Sequence, residues 1–180
     1  MKAQIVFASM TGNNEDMAEI LSEELTTLGF DVTNTDVSFA DATSYLDADL
    51  CIMVTYTYGE GIFTDELDDF YEQLIQLDLS GKKFAVMGSG DKIYKEHYCE
   101  NVDDFKKAFE KCGATQAANP VKIENAVDDH DVILIENAAK EMLADFKKIK
   151  NWHNRDNPNM SIFLSIKSRR RLFKIRRLAI

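Results

Sequence analysis

Three runs in this sequence, 3–8 (AQIVFA), 50–54 (LCIMV) and 84–87 (FAVM), are apolar at nearly every position. A strand with one wet face alternates apolar and polar residues. A strand that is apolar throughout is covered on both faces, as interior strands of a parallel sheet are. Between these runs the apolar spacing changes to that of helices: Met17, Leu21, Leu25 and Leu28, then Leu67, Phe70, Leu74 and Leu77. Val102, Phe105, Phe109 and Cys112 form a third such face, and Ile135, Ala139, Met142, Phe146 and Ile149 a fourth. Gly29 and Gly113 follow two of these stretches, where a left-handed residue closes a helix. Residues 31–36 (DVTNTD) and 121–123 supply two further strand candidates, the first weakly alternating and the second short. Strand and helix in this alternation predict an α/β fold, a doubly wound five-stranded parallel sheet with helices on both faces. Ligands of such sheets sit outside the carboxyl ends of the strands, where strand order reverses, so the loops after strands one, three and four are the places to seek chemistry.

With 180 residues the chain has room for one such domain and a tail, which we place at 1–150 and 151–180. Charge divides at the same point. Residues 1–150 hold 13 basic and 30 acidic side chains, residues 151–180 hold 8 and 1, and no arginine precedes Arg155. A domain this acidic argues against nucleic acid as ligand and for partners that present a basic patch. Cys51, Cys99 and Cys112 form no C-x-x-C pair and have no histidine at metal-ligand spacing, so neither a disulfide framework nor a zinc site is expected. Cys51 and Cys112 read as small buried hydrophobes. The chain opens on a strand-like run with no basic region or long apolar stretch, so a cytoplasmic location is the expectation.

After the first strand, Ser9, Met10, Thr11, Gly12, Asn13 and Asn14 lead straight into a helix. Hydroxyls, amides and the N–H groups of a helix N-terminus make a receptor for an anion. The loop has no lysine or arginine and lacks the G-x-x-x-x-G-K-[ST] pattern, so one phosphate held by neutral donors suits it better than a triphosphate with magnesium. The same residues also suit a plain helix start, with Asn13 or Asn14 as cap and Gly12 as turn. After the third strand, Thr55, Tyr56, Thr57, Tyr58, Gly59, Glu60 and Gly61 combine two tyrosines with small polar groups, which suits a planar ring. Gly59 can exchange a positive for a negative φ at little cost, so its carbonyl could turn toward a ring nitrogen. A simple turn with tyrosines closing the edge of the core is the other reading. After the fourth strand come Gly88, Ser89, Gly90, Asp91, Lys92, Ile93 and Tyr94, running on to His97, Tyr98 and Cys99. Small residues here let backbone N–H groups approach a ligand, and Tyr94 could stack opposite Tyr58. Asp91 either holds the loop or is one more solvated acid.

Together the three loops resemble the flavodoxin family, whose signatures have the forms T-G-N-T, T-x-T-W/Y-G-x-G and G-x-G-D-x-x-Y, the last ending in an aromatic-cysteine pair. The resemblance covers roughly residues 2–150 and, without a long insertion in the fifth strand, is to the short-chain members. It implies the strand order 2-1-3-4-5, one non-covalently bound FMN, and service as a low-potential one-electron carrier on the semiquinone/hydroquinone couple, in place of ferredoxin and without a catalytic site. It further implies that Ser9, Met10, Thr11, Gly12, Asn13 and Asn14 hold the phosphate and that Tyr58 and Tyr94 sandwich the ring. Thr55, Tyr56, Thr57, Gly59, Gly61, Ser89, Gly90, Asp91 and Cys99 complete the site. Implied partners, met through an acidic rim by a monomer, are a flavodoxin or ferredoxin NADP reductase and iron–sulfur redox enzymes. Two departures stand out: Asn14 replaces the usual threonine, and the stretch from Tyr94 to Cys99 is one residue longer than common, with His97 inside it.

Two rivals share the fold. A receiver-type signalling domain needs an aspartate at the end of strand three and acids after strand one, where this chain has Tyr56, Thr57 and Ser9. An FMN-dependent NAD(P)H:quinone oxidoreductase adds dimerisation insertions and a nicotinamide pocket, for which there is no spare sequence. Residues 161–180 mix Ile162, Phe163, Leu164 and Ile166 with Arg169, Arg170, Arg171, Arg176 and Arg177. Such a segment could touch an anionic membrane, but its apolar spacing is irregular, and a tail with no dedicated role is the favoured reading.

Overall fold

Lys2–Phe7 (β1), Asp31–Asp36 (β2), Leu50–Tyr56 (β3) and Lys83–Gly90 (β4) lie side by side in the order β2-β1-β3-β4, every neighbour parallel. The computed structural model describes residues 1–155, of which Met1–Leu143 form one compact unit. Asn13–Thr27 (α1), Asp65–Leu74 (α2), Glu100–Lys111 (α3) and Asp129–Arg155 (α4) alternate with the strands as the apolar spacing predicts. Gly29 and Gly113 stand just past α1 and α3 with φ of 94° and 85°. The side chain of Ile149 and the expected tail from residue 156 onward, including 161–180, lie outside the described residues.

The far edge of the sheet differs from expectation. Besides Val121–Glu124 (β6) there is a two-residue strand, Thr115–Gln116 (β5), and both pair with β4. β5 matches the start of β4 (Lys83↔Thr115) and β6 its end (Met87↔Val121, Gly90↔Glu124). They occupy one edge position interrupted at 117–120, where Pro120 has no N–H to give to a ladder. A two-residue strand carries no period, which is why the sequence pattern showed only the second piece.

Side chains alternate across the sheet. Val6, Ala8, Cys51, Met53, Phe84 and Val86 face a core completed by Leu67, Phe70 and Leu74 of α2 and by Val102, Phe105 and Phe109 of α3. Phe84 stacks on Phe109 with ring centroids 5.0 Å apart. Tyr45, in a 3-10 segment (Ala42–Asp47) that the apolar spacing did not show, is fully buried there and donates its hydroxyl to Ile52 O at 2.8 Å. The alternate positions, Ile5, Phe7, Ile52, Val54, Ala85 and Met87, are buried with Met17, Leu21 and Leu25 of α1 and with Ile135, Ala139 and Met142 of α4. All three cysteines are buried and unbridged. Among the described residues no helix is long and apolar enough to cross a membrane.

Strands β3 and β4 run further than their apolar runs suggest, pairing Thr55 with Gly88 and Tyr56 with Ser89. Glycine is what allows it. A Cβ at Gly88 would overlap the carbonyl oxygen of Thr55 and lie 2.8 Å from Val102 Cγ2, and one at Gly90 would lie 2.8 Å from the Cys99 nitrogen. Neither neighbour can move without shifting a strand or α3. Gly88→Ala should therefore lower stability by about 2–3 kcal/mol, the scale of overpacking in a close-packed interior, read as a lower urea midpoint at unchanged slope.

Candidate cofactor site

Because β1, β3, β4 and β6 are parallel, their carboxyl ends share one edge, and the loops that leave them surround a cleft of about 260 Å³. Its walls are Ser9, Met10, Thr11, Asn13 and Asn14 from the first loop, Tyr56, Thr57, Tyr58 and Gly59 from the second, Ser89, Gly90, Asp91 and Tyr94 from the third, and Asn125 beyond β6. Three loops far apart in sequence thus meet around one space.

In the first loop Gly12 is the N-cap of α1, with φ of 90° and no side-chain cap. Neither asparagine caps the helix. Asn14 donates its backbone N–H to Ser9 Oγ (3.3 Å) and its side-chain amide to Ala8 O (2.9 Å), tying the loop to the end of β1. Its Oδ1 is buried on the cleft wall without a partner, an acceptor that a hydroxyl-bearing ligand can satisfy. Gly12 itself supplies the turn behind the wall.

The second loop is clamped from α3. Asn101, fully buried, donates its backbone N–H to Thr57 Oγ1 at 3.0 Å and its amide to Tyr56 O at 2.7 Å, while the Thr57 N–H reaches Ser89 O at 2.9 Å. These bonds orient the turn so that Tyr58, 67% exposed, stands at the cleft mouth. Gly59 and Gly61 have φ of 57° and 85°, conformations that strain any L residue. Gly61 is not on the wall but packs under Glu100, and Thr55 is buried behind the cleft in the β3–β4 ladder.

In the third loop Asp91 accepts the Ile93 N–H at 2.8 Å and so starts the 3-10 segment Lys92–His97, holding the loop rather than standing free. That segment presents Tyr94, 40% exposed, on the same cleft. Cys99 does not reach the cleft. It is buried at the N-cap of α3 with Sγ facing Gly88 O and Ile123 O, and burial pushes its thiol up to about 11, so it stays protonated and serves as packing. Tyr98 packs against the core, with the Lys92 ammonium 5.8 Å from its ring centre. His97 Nδ1 pairs with Glu100 Oε2 at 2.6 Å.

Two contributors have no counterpart in the motif reading. Asn125 adopts φ of 57° and donates its N–H to Gly90 O at 3.0 Å. An asparagine at a strand end, a residue tolerant of left-handed geometry, was the available signal. Asn101 looks in sequence like any polar residue in a first helical turn.

A flat ligand with an apolar body and an anionic end fits these walls. Aromatic faces stand at the mouth, hydroxyl and amide donors of Ser9, Thr11 and Asn13 and a helix N-terminus lie at the β1 end, and no described arginine or lysine lines the cleft.

The family model described as Flavodoxin matches residues 5–142. Probable flavodoxin 1 of Bacillus subtilis (strain 168) is 37% identical over 132 residues, 73% of this chain and 83% of that protein. A flavodoxin structure from Streptococcus pneumoniae TIGR4 is 44% identical and superposes with a TM-score of 0.77 over 80% of this chain and 99% of its own. A short-chain flavodoxin associated with a non-canonical PDU bacterial microcompartment is 40% identical, with a TM-score of 0.78 over 80% and 97%. Sequence, strand order and loop arrangement agree: the chain belongs to the flavodoxin family and is similar to its short-chain members.

Proposed function

We propose that this chain binds one FMN in the cleft and carries single electrons at low potential between larger redox enzymes. Flavodoxins as a family bind FMN and transfer electrons rather than convert substrates. The observation that carries the reading for this chain is the convergence of the three loops on one cleft, with neutral donors at one end and exposed tyrosines at the mouth.

Bound FMN would supply a centre that accepts electrons one at a time. The protein's part is to hold and bias it. Ser9, Thr11, Asn13 and the first N–H groups of α1 would take the phosphate, with Gly12 and Met10 shaping the loop and Asn14 bracing it. Tyr58 and Tyr94 would cover the ring faces, and the backbone at Thr57, Gly59, Ser89 and Gly90 would meet the ring edge. Full reduction would leave negative charge between electron-rich rings, in residues 1–150 that hold 30 acidic against 13 basic side chains. That environment opposes reduction, which lowers the potential and makes the carrier a strong donor.

The same acidity selects partners. A flavodoxin or ferredoxin NADP reductase upstream and iron–sulfur enzymes downstream would dock basic patches around the mouth, where Met10, Ile62 and Ile93 are exposed as apolar contacts. We read the protein as a cytoplasmic monomer in which 1–150 carry this function and 151–180 take no part in it.

Adding FMN to the purified full chain should quench flavin fluorescence to an endpoint of one equivalent. A folded sample that stays colourless and leaves the fluorescence unchanged overturns the proposal. Riboflavin, which lacks the phosphate, should bind at least about 100-fold more weakly, because each hydrogen bond to a charged group contributes roughly 1.5–3 kcal/mol and the loop offers several. Gly59→Ala should lower stability by about 1–2 kcal/mol, since the φ of 57° already present without ligand costs an L residue that much, read as a lower urea midpoint. An unchanged midpoint would show that the turn relaxes to a negative φ in the variant. Stopped-flow electron transfer from a basic reductase should slow steeply as salt rises.

A further inference from the structure

The carboxylate of Glu100, the first residue of α3, lies against the backbone of the loop that follows β3. A Cβ built on Gly61 would overlap Glu100 Oε2 and come within 3.1 Å of its Cδ. The same Oε2 pairs with His97 Nδ1 at 2.6 Å. One oxygen therefore joins the turn that carries Tyr58 and Gly59 to a histidine of the third loop. The turn closes on itself, through Gly61 N–H to Tyr58 O at 3.3 Å and an antiparallel bridge between Tyr58 and Ile62, and its two glycines both sit at positive φ. Firmer anchors lie to either side, at Asn101 with Tyr56 and Thr57, and at Tyr56 Oη, which donates to Thr64 Oγ1 at 3.0 Å. Between them Glu100 bears on Gly61.

Building on the reading of the cleft as an FMN site, we propose that His97 and Glu100 form a positioning latch on the 58–61 turn. With the imidazole charged, Glu100 is neutralised over Gly61 and keeps Tyr58 closed over the flavin. With the imidazole neutral, Glu100 keeps at most a hydrogen bond from an uncharged Nδ1–H and the distant pull of Lys107, its charge is no longer offset beside a turn that carries Glu60, and the turn loosens.

The charged groups facing His97 are Glu100 from α3, Glu96 from its own 3-10 segment and Glu60 from the loop after β3. The hydrogen bond to Glu100 acts most strongly, and together these acids raise the imidazole above its ordinary pKa against a smaller opposing effect of desolvation. A raised folded-state pKa fixes the sign. The latch is complete below the pKa of a free imidazole, roughly 6.5, and is lost as pH rises through the higher value. Both partners are partly exposed, with side-chain accessibilities of 35% and 38%, so solvent screening keeps the effect small, about two- to fivefold in affinity.

The test is FMN fluorescence titration of the full-length wild type, His97→Gln and His97→Lys at pH 6 and pH 9. The phosphate of free FMN ionises in this range too, but equally for all three proteins, so ratios are read. The Gln variant should bind about two- to fivefold more weakly than wild type at pH 6 and equally at pH 9. The Lys variant, charged throughout, should match wild type at pH 6 and exceed it by the same factor at pH 9. A Gln-to-wild-type ratio that is the same at both pH values, or a Lys variant that behaves like Gln, removes the latch and leaves the FMN reading standing. Failure of the wild type to bind FMN at either pH removes both.

Discussion

Parallel pairing of strands buried on both faces is the constraint on which the rest of this molecule depends. It sends the chain from β1 to β2, from β3 to β4 and from β4 to the outer edge through the helices α1, α2 and α3, and it gathers the carboxyl ends of β1, β3, β4 and β6 on one edge of the sheet. None of the three loops carries a site alone. The first brings donors for an anion, the second and third bring one exposed tyrosine each, and only their shared edge makes these parts face one cleft.

Close approach sharpens that arrangement. Gly88 lets β4 press against the Thr55 carbonyl, and Gly90 lets α3 begin with Cys99 hard against the strand. From there α3 reaches back with Asn101 to Tyr56 and Thr57 and with Glu100 to Gly61. A helix N-terminus that elsewhere would face solvent is used to aim the loop after β3. The buried thiol of Cys99 is part of this packing, turned to the Gly88 carbonyl away from the cleft wall.

Charge is distributed with the same economy. The cleft wall presents hydroxyls, amides and backbone N–H groups, and no described basic side chain lines it. Lys92, close by in the third loop, is engaged with Glu124 at 2.6 Å. A bound electron carrier would gain from this, because a fixed cation at the flavin would raise its potential and weaken it as a donor.

The apolar runs at 3–8, 50–54 and 84–87 and the helical spacings between them determined the fold class unaided, because covering a strand on both faces leaves few architectures open. The loop motifs likewise named thirteen of the fourteen residues now found on the cleft wall, since loops leaving the carboxyl ends of parallel strands are where such a cleft forms. What only the tertiary structure decided were the distances between elements. Asn101 and Asn125 become site residues, Gly12, Cys99, Thr55 and Gly61 fall behind the wall, and the outer strand breaks in two. Each of these follows from how closely one backbone approaches another residue remote in sequence, a quantity to which local periodicity is blind.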